Sequence, residues 1–78
     1  MAVSTPTGML TAEQAKQKAL AHAGLQSSQV SFVRAHLDWD DGRAEYEVKI
    51  VVGMLEYEFE INAVNGAILS QDVDSVYD

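Results

Sequence analysis

"AEYEVKIVVGMLEYEFEIN", Ala44–Asn62, decides the fold of this chain. On either side of Gly53-Met54, apolar and polar residues alternate: Ala44, Tyr46, Val48, Ile50 and Val52 before it, Leu55, Tyr57, Phe59 and Ile61 after it. Alternation sustained over such lengths marks half-buried antiparallel strands, because successive side chains in a strand point to opposite faces. A two-residue turn with glycine first, the type II′ preference, sets Val52 opposite Leu55, Ile50 opposite Tyr57, Val48 opposite Phe59 and Tyr46 opposite Ile61. Every apolar residue then meets another, and a slip of one residue would turn the whole set to water.

Working outward, Val33–Trp39 alternates in the same way. A four-residue loop, Asp40–Arg43, pairs Trp39 with Ala44, Leu37 with Tyr46 and Ala35 with Val48, which places Trp39 and the tyrosines mostly on the core face. Upstream, Thr11–Gly24 reads as a helix: Thr11 as N-cap, Gln14 three residues on to close a capping box, and Gly24 beyond the last turn. Ala12, Ala15, Ala19 and Ala23 form one stripe, widened by Leu20, so the helix can lie close on a flat surface. After the Asn65-Gly66 turn, a fourth strand is expected at 67–72; Ile68 and Leu69 are adjacent, leaving open which one faces the core. "QDVDSVYD" beyond it is acidic and expected to fray. The fold class is α+β, one N-terminal helix packed on a three- to four-stranded antiparallel meander sheet. Residues 1–9 read as linker or tail, 10–72 as the domain and 73–78 as an acidic C-terminal tail, with the whole expected to be cut from a longer protein.

Composition narrows the partners. The 78 residues carry 12 acidic and 5 basic side chains, a net charge of -7, which repels phosphate backbones and anionic membrane surfaces. Nucleic acid is excluded as a partner, and no apolar run is long enough for direct membrane insertion. There is no cysteine, hence no disulfide or thiolate metal site. A chain this small must rest on one apolar core. The charge on its polar face argues against easy self-association, and a monomer is expected.

Candidate chemistry is sparse. Glu56, Glu58 and Glu60 fall on the face opposite Tyr57 and Phe59, with Glu58 across from Lys49, and read as a solvated row rather than a catalytic one. "DWDDG", Asp38–Gly42, fails the calcium-loop spacing from either end. His36 faces Glu47, with Asp38 and Glu45 beside them, but the arrangement reads as a polar cross-strand pair, and no metal site is assigned. His22 suits the C-terminal end of the helix dipole. With no G-x-S-x-G turn, HExxH pair or Gly-rich phosphate loop, neither catalytic nor cofactor-binding residues are assigned. Phe32 and Val51, opposite each other on the polar face, form a small apolar patch; with His36 and Glu47 they are the candidate partner surface.

"LTAEQAKQKALAHAG", "EYEVKI" and "YEFEINAVNGAIL" in this order resemble the PepSY domain. Thr11 and Ala15 match the family's helix opening, Tyr46, Glu47 and Val48 its Tyr-Glu-Val strand, and Ile61, Ala63, Gly66 and Ile68 its Ile-Asp-Ala-x-Thr-Gly-x-Ile/Val segment. Asn62 stands where the family has aspartate and Asn65 where it has threonine; both suit a turn, and no role needing a charge is carried over to Asn62. The resemblance implies a noncatalytic bacterial module, extracellular or cell-envelope associated, although no signal peptide is visible in this chain. Its implied work is protein interaction that inhibits, chaperones or modulates a secreted or envelope peptidase, the partner being that peptidase or its catalytic domain. The alternative is a structural or tethering domain of a larger envelope protein, with no inhibitory role.

Overall fold

The computed structural model describes residues 8–76; Tyr77, Asp78 and most of the expected N-terminal tail lie outside the described residues. Helix α1 (Ala12–Ala23) and a 3-10 turn (Ser27–Gln29) lead into strands β1 (Phe32–Asp40), β2 (Arg43–Val52), β3 (Leu55–Asn62) and β4 (Ile68–Ser75). The strands pair in chain order, each antiparallel to the next, giving the expected meander with its fourth strand present. The body measures 38 × 32 × 17 Å, thin enough for one helix on one sheet.

The helix begins and ends where its caps dictate. The Gln14 backbone N–H donates to Thr11 Oγ1 at 3.0 Å, and the Thr11 N–H donates to Gln14 Oε1 at 2.8 Å. Gly24 closes the last turn in the left-handed conformation. Ala15, Ala19 and Leu20 are buried against the sheet, mainly over β1 and β2. The entry to the helix is tied down as well. The Tyr46 hydroxyl donates to the Leu10 carbonyl at 2.9 Å, and the Leu10 N–H donates to the Ala63 carbonyl at 2.7 Å.

Both hairpin registers match the pattern read above. Val52 pairs with Leu55 and Tyr46 with Ile61 around Gly53-Met54, and Gly53 has φ of 58°, as a II′ first position requires. The β1–β2 connection is tighter than expected. Asp40 pairs with Arg43, so the turn is Asp41-Gly42 alone, with φ of 53° and 74°. Two positive φ values in succession are the type I′ signature, which Asp-Gly favours and which suits the strand twist better than a longer loop.

Three further expectations are settled or corrected. A register shift at Glu60/Ile61 pairs Glu60 with Ser70 and Ile61 with Ile68, leaving Leu69 as the extra residue of a bulge. Ile68 therefore packs on the core and Leu69 is exposed, which explains two adjacent apolar residues in an alternating strand. Strand β4 continues to Ser75, past the expected end at Asp72, and the Val76 N–H still donates to the Met54 carbonyl at 3.0 Å.

Trp39 points to the helix side as its parity requires, yet it is 62% exposed and is not a core residue. It lies on an edge strand beside the turn, and the 12-residue helix is only about 18 Å long, well short of a nine-residue strand. Tyr46 is buried and Tyr57 half-buried.

Because alanine lets α1 approach closely, Ala19→Leu should force the helix off the sheet. The expected cost is about 1–3 kcal/mol, read as a lower urea midpoint with an unchanged m-value.

Candidate functional site

The face away from α1 is covered by no other described element. It carries the alternate residues of all four strands. The sequence-derived candidates come together there: Phe32 opposite Val51, and His36 opposite Glu47. Arg34, next along the same face, lies with its guanidinium carbon 5.9 Å from the Phe32 ring centroid. The apolar patch is thus flanked by a cation held over the ring. A concavity of about 520 Å³ crosses the middle of the face, and its walls include Arg34, His36, Glu47, Lys49, Glu58 and Glu60.

Its charge is unevenly placed. Lys49 Nζ lies 3.2 Å from Glu56 and 3.9 Å from Glu58, so the diagonal neighbour, and not the directly opposed Glu58, makes the closer ion pair. The Ser70 hydroxyl donates to Glu60 at 3.1 Å. Elsewhere carboxylates confront each other across the strands: Glu47 faces Glu60, Glu58 faces Asp72, Glu56 faces Asp74 and Asp38 faces Glu45. Among the described residues, no three His, Asp or Glu side chains converge as metal ligands would. His36 with Glu47, and Asp38 with Glu45, occupy successive rows of the ladder.

Sequence reasoning placed Glu45 beside His36 and Asp38 on the polar face but missed its burial. It belongs to this polar face but is only 8% exposed. Burial, then the carboxylates of Glu60, Asp40 and Asp38, push its carboxyl above the ordinary value, with Arg43 pulling the other way. The hairpin register could have exposed the facing acids at Glu47 and Glu60. Nothing in the alternation signals that one glutamate sits deeper than its neighbours.

At the β3–β4 turn, the Asn62 side-chain carbonyl accepts from the Val64 and Asn65 N–H groups at 2.8 and 3.1 Å, and Asn65 accepts from Ala67 at 2.9 Å. His22, in the last turn of α1, meets Phe59 edge-on with ring centroids 5.7 Å apart.

These features define a small α+β module, one helix laid on a four-stranded antiparallel meander with its other face bare. Residues 9–72 match the model of the PepSY family, described as the peptidase propeptide and YPEB domain, and the chain belongs to that family. Comparison with curated proteins and with solved structures returned no significant match. Among the described residues no helix is long and apolar enough to cross a membrane.

A raised carboxyl means that the folded protein keeps the Glu45 proton to higher pH than the unfolded chain does. The contribution is nil while both states are protonated. It turns against folding as the pH rises through the ordinary carboxylate range, and the penalty persists above the folded-state value. Glu45→Gln should therefore be more stable than the parent at neutral pH, with the difference vanishing below about pH 4, in urea midpoints measured across pH. Lys49→Gln should have the opposite sign. It removes the counter-charge of Glu56 and Glu58 at a cost of about 0.5–1 kcal/mol at low ionic strength, and the loss should shrink in molar salt.

Proposed function

We propose that this chain is a noncatalytic interaction module that restrains, chaperones or otherwise modulates a secreted or envelope peptidase. It acts as a monomer and docks through the open face of its sheet. The observation that carries this reading is the conjunction of a peptidase-propeptide family match with a broad sheet face that the protein's own helix leaves bare. No catalytic role is assigned to any residue. Most family motif residues are spent on caps, turns and core: Thr11 closes the helix, Tyr46 anchors its entry, and Ile61 and Ala63 are fully buried. What remains free to meet a partner is the face carrying Phe32, Val51, His36 and Glu47.

Phe32 and Val51 supply the apolar contact. Phe32 is 44% exposed, and the pair sits at one end of an otherwise charged surface. Interfaces draw most of their energy from a few aromatic or arginine anchors ringed by polar groups, and Phe32 with Arg34 over its ring has that composition.

The test is to titrate the purified chain against peptidases secreted by its source organism, following both inhibition of the active enzymes and their yield on refolding. Inhibition or improved refolding of at least one is expected, weakened about tenfold or more by Phe32→Asp or Val51→Asp. If no peptidase responds by either readout, the protein is a structural or tethering domain and the proposal fails.

A further inference from the structure

The open face has two properties that solubility does not require. Carboxylates are set directly opposite one another at Glu47–Glu60, Glu58–Asp72, Glu56–Asp74 and Asp38–Glu45. Like charges in that position destabilise a sheet, whereas the same net charge spread over helix and loops would keep the chain soluble without that penalty. Independently, Glu45 is 8% exposed, yet its side chain makes no hydrogen bond or ion pair among the described residues. Carboxylates that are largely buried are normally paired, because an unpaired one gives up part of its hydration and gains nothing in return.

The surroundings of Glu45 show what is missing. Asp38 faces it from β1 and Asn62 from β3, Glu60 stands on the neighbouring row, and Asp40 and Arg43 flank the turn. Arg43 is the cation of this group, but it forms no ion pair with Glu45. No fully enclosed side-chain oxygen lacks a partner, so the unpaired oxygens of Glu45 still open onto the face and can be reached from outside.

We propose that the open face is a docking surface for an extended cationic segment of a partner protein, one of whose arginine or lysine side chains seats on the Glu45 carboxylate. The charge distribution favours a chain over a point ion. The acids are spread along β2, β3 and β4 with no convergent set of metal ligands, as a segment bearing several cations would need. Alternate side chains of an extended peptide recur about every 7 Å, the same spacing as the alternate acids along each strand. A guanidinium can bridge two facing carboxylates with its planar fork. The 520 Å³ concavity, walled in part by Glu47, Glu58 and Glu60, receives the rest of the segment. This deepens the docking assignment above and rests on the same face, but not on the partner's being a peptidase.

The test uses the 78-residue chain, isotopically labelled, titrated with a short peptide of alternating arginine and glycine; matched controls are a glutamate-glycine peptide, calcium chloride and spermine. Amide shifts should concentrate on β2 and β3 around Glu45, Glu47 and Glu60, and appear with the arginine peptide and not with the glutamate peptide. The Glu45 carboxyl should titrate at lower pH once the peptide is bound. Glu45→Gln and Glu60→Gln should each weaken binding about tenfold, while Glu13→Gln on the distant helix should change it less than about twofold.

Glu45→Gln is also expected to raise thermal stability, so its loss of binding cannot be put down to unfolding. Equal weakening by Glu13→Gln, unshifted β2 and β3 amides, or displacement of the peptide by millimolar calcium or spermine would each overturn the proposal. If the chain inhibits a peptidase and Glu45→Gln inhibits it equally well, the peptidase reading stands and this one falls. Site-specific peptide binding with no peptidase affected gives the reverse.

Discussion

The pairing of β2 with β3 holds this protein together, because it decides which side chains the helix covers. Val48, Ile50 and Ile61, the largest fully enclosed side chains, all belong to that hairpin. The face that α1 brings to them is largely alanine, which contributes little apolar area of its own and relies on a flat, continuous floor to lie on. A slip of one residue would bring Glu45 and Glu47 beneath the helix in place of Tyr46 and Val48, or Glu58 and Glu60 in place of Phe59 and Ile61, depending on which strand turned over. Unpaired carboxylates in that position would cost several kcal/mol each, as much as a domain this size has to lose. The two-residue turn at Gly53-Met54 enforces the register locally, and the Tyr46–Leu10–Ala63 hydrogen bonds anchor the helix to the same two strands.

The same constraint creates the opposite face. With one helix and one sheet, everything that does not point at α1 must point at water or at another molecule. Alternation would be satisfied by any polar residues there, including serines, threonines or a balanced mixture of charges. Instead acids stand opposite acids on three successive strand pairs, with Lys49 offsetting only part of them and Arg34 turned toward Phe32. The face is therefore less favourable to folding than it could be, and the raised carboxyl of Glu45, hemmed in by Glu60, Asp40 and Asp38, reflects the same conflict. Such local conflict in an otherwise consistent sequence is where binding, rather than folding, sets the choice of residue.

Periodicity carries face, and that is why the helix, its caps, the first three strands and both hairpin registers are readable in the sequence. It does not carry depth. Trp39 and Phe59 occupy equivalent alternating positions, but Phe59 lies on an inner strand at 2% exposure and Trp39 beside an edge-strand turn at 62%. Glu45 and Glu47 have the same parity on the same strand, and only the first is buried. Depth follows from where the helix axis crosses the sheet and how the sheet curls, which no single strand encodes. The bulge is a different case. Ile68-Leu69 already breaks the alternation, and the break marks the bulge, but which residue turns inward depends on pairing with Ile61 from the neighbouring strand. The candidate surface was legible in part: Phe32 with Val51 and His36 with Glu47 followed from the register, while the β4 contribution waited on that bulge.

Asn62 and Asn65 show how far family membership reaches. Where the family has aspartate, the Asn62 amide oxygen accepts two backbone N–H groups of the β3–β4 turn, a contact that needs an acceptor and not a charge. Asn65 likewise accepts from Ala67 and holds the approach to β4. The motif is therefore preserved in function although two of its letters differ, because its physical content is a turn. Its other positions are equally architectural: Thr11 caps, Tyr46 anchors the helix entry, and Ile61 and Ala63 fill the core. Of the motif positions, Glu47 and Asn62, which stands opposite Glu45, fall on the open-face rows. Chains can then share this fold through the motif and still present different faces to different partners. On the reading proposed above, the partner is met by the Phe32–Val51 pair and the opposed carboxylates around Glu45, most of which lie outside the motif positions.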